Sequence, residues 1–233
     1  APPALAGQLL DPILRGRAEV TSGYHRLTSA HGLVNLLHEM SVLFLHCLQG
    51  LPLVTQPWGG AMAMDRTAFE RLEVARMWRD NVVDDCSLAA LLQDHGQRAL
   101  MVSGANVVTP LGEERFGQWW AWWVRQLQYL KFCFPGTWIL AGAGFAFLGL
   151  PPLAGAAMLA AGHKLAAAAY FPALGLAALA LRRGALRPTG PGRWLALFPL
   201  FLILNLGAYA QACRLRTITW RGVVYTVGKK GVA

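Results

Sequence analysis

The stretch QWWAWWVRQLQYLKFCFPGTWILAGAGFAFLGL, residues 118–150, joins two kinds of chemistry. Its first half holds four tryptophans within five residues, then Arg125, then a basic end at Lys131. Its second half is uncharged and apolar over about the ~20 residues that a membrane crossing needs. Upstream, strand-like and helix-like segments alternate and carry acids. Downstream, the chain is basic and greasy. Either residues 118–131 are an anchor lying on a membrane, or they belong to a site.

Charge patterning places the join. All twelve Asp and Glu lie at or before Glu114, alongside eight bases, for a net charge of −4. From Arg115 onward there are thirteen Lys or Arg and no acid. The chain is 55% hydrophobic and 14% charged, against about 25% charged in an ordinary soluble domain. This describes an aqueous part followed by a membrane-facing one. Nucleic acid is a poor partner for this charge, because the bases flank apolar runs and form no stripe with polar residues between them. The cysteines Cys47, Cys86, Cys133 and Cys213 are scattered, with no metal-ligand spacing, and read as ordinary buried or membrane thiols. The start lacks both a signal-peptide core and an initiator Met, which points to a piece of a longer chain.

Across the first 115 residues, periodicity predicts a short helix ending at Asp11-Pro12, since the residue before proline is pushed out of the helical region. It predicts a strand over AEVTSGYHRL and a buried or interfacial helix over 32–51. After a Gly-Gly turn come a short apolar strand and a helix from about Thr67. DDCSLAALLQDHG is a helix stopped by Gly96, and QRALMVSGANVVTPL a strand and loop. This alternation implies an α/β layer arrangement. Beyond Lys131 three apolar runs, 132–150, 153–181 and 194–212, are span candidates, and a basic tail covers 214–233. The second run contains Gly162-His163-Lys164, which reads more simply as a loop between two short spans than as an intramembrane site. The arginine-rich loop after the second run and the tail after the third both ask for the cytoplasmic side. The two demands conflict if the third run is one simple crossing. Either it is a hairpin or re-entrant element, helped by Pro199 and Asn205, or the charge rule fails on one side.

Four groups of residues could carry chemistry. Asp84 and Asp85 start a helix, where the dipole and free N–H groups stabilise carboxylates, so they suit a cap. They equally suit a general base, because two adjacent carboxylates push their pKa values apart. Trp58, Gly59 and Gly60 suit either a tight turn or a pocket wall with a flat ring for stacking. Trp119, Trp122 and Trp123 share one helix face, with Arg125 offset from it. That suits an interfacial helix at headgroup depth, or an arginine aimed at a diphosphate beside aromatic walls.

The order of these pieces is more telling than any one of them. WGGAMAMDRTAFERL, VVDDCSLAALLQDHG, WWVRQLQYLK, apolar spans and TITWRGVVYTV together resemble the membrane-bound family 2 glycosyltransferases, especially the ceramide glucosyltransferase-like branch. The resemblance covers nearly the whole chain but only the C-terminal part of such an enzyme. It implies a partial GT-A-like domain over 1–115, an interfacial Trp-rich helix over 116–131, a helical transmembrane region over 132–213 and a cytoplasmic tail. The family's Asp-x-Asp metal motif does not occur here. The implied divalent metal, Mg or Mn, would therefore take ligands from outside this chain, and these residues alone would be inactive.

The resemblance implies further that Asp85 is the catalytic base and that Asp84 shapes the site. Gly59 and Gly60, beside Trp58, would line the pocket for donor and acceptor. The family's (Gln/Arg)-x-x-Arg-Trp motif fits in two registers. QWWAW keeps Gln118 and Trp122 but puts Ala121 where arginine belongs. WWVRQ keeps Arg125, with Trp122 first and Gln126 last. A leaving nucleoside diphosphate needs positive charge, which selects WWVRQ and brings Trp122, Trp123, Arg125 and Gln126 into the candidate site. TWRGVVY is similar to the family's cytoplasmic tail motif, where Arg221 and Tyr225 would close over the site. The expected reaction moves a hexose from a nucleotide-sugar to a lipid hydroxyl at the cytoplasmic face of a multi-pass membrane protein. The rivals are a polysaccharide synthase and a non-catalytic membrane subunit or truncated remnant.

Overall fold

A computed structural model describes residues 3–29, 32–49, 56–186, 188–220, 222–228 and 231–232. Helix α1, Leu5–Leu14, runs on through Pro12 instead of stopping before it. Leu9 and Pro12 are its buried residues, and Gly16, at φ 65°, closes the end. The proline sits in the last turn, where the loss of one N–H donor is outweighed by the apolar face it helps to bury.

Strand β1, Val20–Ser29, is the middle of a three-stranded sheet. Its first residues pair antiparallel with β2, Met62–Met64, and its length pairs parallel with β3, Leu100–Leu111. The whole second segment is one strand, not a strand and loop. Pro110 is tolerated because β3 is an edge strand whose outer side needs no ladder donor. The register slips between Ser22 and Tyr24. There a Cβ on Gly23 would stand 1.8 Å from the Ala105 carbonyl oxygen, so only glycine lets the two backbones approach.

A parallel pair needs a long crossover. Here it comprises α2, Leu33–Leu48, then β2, then α3, Arg66–Arg71, α4, Val74–Arg79, and α5, Asp84–Asp94. Asp65 caps α3, accepting from Ala68 N at 3.1 Å, and Gly96 at φ 67° ends the α5 segment. Val20, Leu72, Val74, Leu88 and Leu92 form the core beneath this layer. The expected α/β character is present as a small mixed sheet with helices.

The Trp-rich helix α6, Phe116–Cys133, leads into α7, Pro135–Ala160, α8, Lys164–Arg182, and α9, Pro191–Arg214. Helix α7 runs through Pro151 and Pro152, and the turn falls at Gly162, φ 86°. Among the described residues two helices, α7 and α9, are long and apolar enough to cross a membrane. Helix α9 is continuous through Pro199 and Asn205, so the hairpin reading of the third run does not hold. Asn205 stays within the helix by donating to the Phe201 carbonyl at 2.6 Å. The far end carries β4, Thr217–Trp220, β5, Val223–Gly228, and β6, Gly231–Val232, paired antiparallel.

The largest apolar cluster lies where α2 and α6 meet α7 to α9. Trp119, Trp123, Trp194 and Phe201 are fully buried there around Met40. The end of α9 is clamped by Lys131. Its ammonium donates to the carbonyls of Ala212, Cys213 and Leu215 at 3.0, 2.9 and 2.8 Å, satisfying the acceptors that a helix C-terminus leaves free.

Candidate functional site

Five segments converge on one cavity of about 260 Å³, α2 contributing Leu45. Strand β1 supplies Tyr24 and His25, the segment before β2 supplies Trp58, the start of α5 supplies Asp84 and Asp85, and α6 supplies Trp122, Arg125, Gln126 and Tyr129. On α6 the lining residues 122, 125, 126 and 129 recur at three and four, so one stripe of the helix forms a wall.

The N-cap of α5 is Val83, without a side-chain cap bond, and the two carboxylates lie just inside the helix, where they take up N–H groups of its first turn. Asp84 Oδ1 accepts from Asp85 N at 2.9 Å, and Asp85 Oδ1 accepts from Cys86 N at 2.7 Å. Asp85 Oδ2 also accepts from Gly59 N at 3.2 Å, which ties the Gly-Gly turn to the helix start. A Cβ on Gly59 would lie 3.0 Å from Asp84 Oδ2, so the close approach uses the missing side chain. Gly60 has the same need on its other side, beneath the Trp58 ring at 2.3 Å.

Burial raises the Asp85 pKa above the usual carboxylate value. The Asp84 charge adds to the rise, while the N–H groups of Gly59 and Cys86 oppose it. Desolvation is thus the main source of the Asp85 rise, with repulsion from Asp84 the smaller raising cause. Tyr24 is raised by burial and by the Asp85 charge. His25 is held neutral, its pKa lowered to about 4 by burial and by the neighbouring His38 and His46. Tyr129 is raised by burial; Arg125 pulls the other way.

Aromatic rings wall the cavity. Trp58 stacks on His25 at 4.8 Å and 20°, and its backbone N–H is fixed by Ser22 Oγ at 2.8 Å. Arg125 is half-buried, and its Nε has no hydrogen-bond partner. A buried donor without a partner costs about 1–3 kcal/mol, and an anion in the cavity would relieve that cost.

The residues expected in the site divide. Asp84, Asp85, Trp58, Trp122, Arg125 and Gln126 line the cavity, and Gly59 and Gly60 shape its edge. Trp123 does not: it is 0% exposed in the apolar cluster, because its side of α6 faces the helices. Trp119 is buried beside it and donates to Ser41 Oγ at 3.2 Å. Both rings are covered by protein. Tyr225, on β5, pairs with Ile218 of β4 and is not among the lining residues, and Arg221 lies outside the described residues. Sequence reasoning missed Tyr24, His25 and Tyr129. Tyr129 had a signal, four residues beyond Arg125 on the same helical face. Tyr24 and His25 had none, since only the sheet places them opposite α5.

Among the described residues there is no group of three or more His, Cys, Asp or Glu able to hold a metal ion. Asp84 and Asp85 have oxygens engaged by backbone N–H groups, so this chain's described residues do not form a metal cradle.

No curated protein matches the chain, and no solved structure does. The sequence model of glycosyl transferase family 21 matches residues 24–233. That span takes in β1 from Tyr24 onward, the α5 carboxylates, the tryptophan helix and the basic tail together, and the chain belongs to glycosyl transferase family 21.

Proposed function

We propose that this glycosyltransferase moves a hexose, with inversion, from a nucleotide-sugar to a lipid hydroxyl at the cytoplasmic face of a membrane, as in the ceramide glucosyltransferase-like branch. The supporting observation is the pairing of Asp85 and Arg125 across one aromatic-walled cavity. Asp85 takes the proton of the acceptor hydroxyl. The oxygen then bonds to the anomeric carbon as the bond from that carbon to the diphosphate oxygen breaks. Negative charge leaves with the nucleoside diphosphate, and Arg125 faces it. The raised Asp85 pKa suits a base, which works best with a pKa close to the working pH. Trp58 and Trp122 offer flat apolar surfaces to a sugar ring or an acceptor chain. Asp84 holds the start of α5.

A divalent ion belongs to the proposal only as a neutraliser of the diphosphate. Its ligands lie outside the described residues. In this reading, residues 1–115 are part of a GT-A-like domain, 116–131 join it to the helices, and 132–213 hold a multi-pass protein in the membrane. Residues 214–233, with Arg221 and Tyr225, are the cytoplasmic tail.

The complete protein, reconstituted in lipid, should transfer labelled hexose from UDP-glucose to a short-chain ceramide and release one nucleotide per product. A long polymer would point to a polysaccharide synthase. Absence of any transfer across nucleotide-sugar donors would return the chain to a non-catalytic membrane subunit.

A further inference from the structure

Trp122 lines the cavity, but what sets its plane lies behind it. The ring of His38, on α2, rests against it with centroids 4.1 Å apart at 31°. His38 is 7% exposed and does not itself line the cavity. Its Nδ1–H donates to Glu114 Oε2 at 2.8 Å. One turn earlier on α2, Asn35 Nδ2 donates to the Gly112 carbonyl at 2.6 Å, and Asn35 Oδ1 accepts from Glu114 N at 3.3 Å. Through these two side chains α2 grips the three residues that lead into α6. A mere core position would be filled at lower desolvation cost by an apolar side chain. A hydrogen-bonded buried pair instead fixes one tautomer and one ring plane. Burial outweighs Glu114 and lowers the His38 pKa, which keeps a single N–H for that bond.

Trp122 is also where the cavity meets the helices. It packs on the apolar cluster that α2 and α6 share with α7 to α9. An apolar acceptor coming from the helical side would pass along this ring. We infer that His38 is a positioning residue for the acceptor: Glu114 sets the imidazole plane, and the imidazole sets the plane of Trp122. The inference rests on the transferase reading of the same site.

The test uses the complete protein labelled with 5-fluorotryptophan, the Trp122 resonance being assigned with Trp122→Phe. The wild-type line should be single and narrow. His38→Ala should broaden or split it, and His38→Phe, which restores a ring but not the bond to Glu114, should sharpen it only in part. With UDP-glucose and short-chain ceramide as probes, His38→Ala should raise the acceptor KM roughly three- to tenfold, the range expected for one aromatic contact. The donor KM should stay within twofold, and the change should vanish in a Trp122→Ala background. If His38→Ala fails to fold, His38→Gln, which keeps the donor to Glu114 but not the ring, takes its place. An unchanged Trp122 line overturns the inference, as does an equal rise in both KM values. A moved line in a wild-type protein that transfers nothing sinks the transferase reading and the acceptor role with it, leaving only the packing of the two rings.

Discussion

The first turns of α5 and α6 look equally decisive in the sequence, one with paired acids and the other with paired tryptophans, yet they behave oppositely. In α5 both acids do what their position dictates, taking up N–H groups of the first turn while facing the cavity. In α6 four chemically identical rings separate by face. Trp119 and Trp123 are core, Trp122 is a cavity wall, and Trp120 is half-buried against α9, donating to Gln211 Oε1 at 2.7 Å. A short polar side chain next to a helix start has few options, because the free N–H groups are within its reach. A tryptophan's role depends on which element packs over it, and that is tertiary information.

The contrast is easiest to break at α5. Asp85→Asn should lower kcat by about 10³-fold, within the range of a lost general base. Donor binding measured by calorimetry should stay within a few-fold. Near-normal turnover would leave the α5 acids as partners of the first-turn N–H groups alone. On α6, Trp123→Ala and Trp119→Ala should each cost about 3–5 kcal/mol of stability, the usual loss for a large buried aromatic. Trp122→Ala should cost clearly less in thermal melts while affecting transfer more. Equal melting temperatures for all three would erase the division between faces. Arg125→Ala should reduce kcat by about 10²-fold, with membrane insertion intact, as for a single lost donor to a developing anion. Unchanged transfer would reduce the α6 stripe to packing.

The smallest effect concerns stability and pH. The folded state raises the Asp85 pKa above its unfolded value of about 3.9. Between those two values the folded protein binds the proton more tightly. Stability therefore falls as pH rises through the window, and the penalty is complete above the folded pKa. Asp85→Asn should melt higher than wild type at neutral pH, with the gain shrinking as the medium is acidified through that window and gone below the unfolded pKa. Transfer should fall on the acid side, as the base becomes protonated. A variant that melts lower at every pH would show that the carboxylate's bonds to Gly59 and Cys86 outweigh its burial.

Much of the fold was legible where the signal is local. Gly96 and Gly162 end segments because a left-handed residue is needed there. The helix start at the α5 carboxylates was legible from the free N–H groups that a helix N-terminus offers to acids. What stayed hidden depends on partners distant in sequence. Pro12 continues a helix because its face is buried. Trp123 leaves the site because the helical cluster claims it. His25 enters because β1 runs beside β3, a pairing separated by most of the α/β layer. Charge patterning located the change of character at residue 115, but it could not say that the third apolar run is one unbroken helix.

Lys131 has a mechanical consequence. It sits six residues beyond Arg125 on α6, about 9 Å along the axis at the standard rise. Three charge-assisted bonds fasten that point to the end of α9. Gln128 adds a fourth tether, donating to the Thr217 carbonyl at 2.7 Å. The tryptophan helix is thus a firmly fastened wall of the cavity, and Trp58 to Gly60 form its opposite edge. That side is held to α5 by one bond of 3.2 Å between the Gly59 amide and Asp85. Amide exchange at Gly59 should accordingly outpace exchange anywhere along the middle of α6.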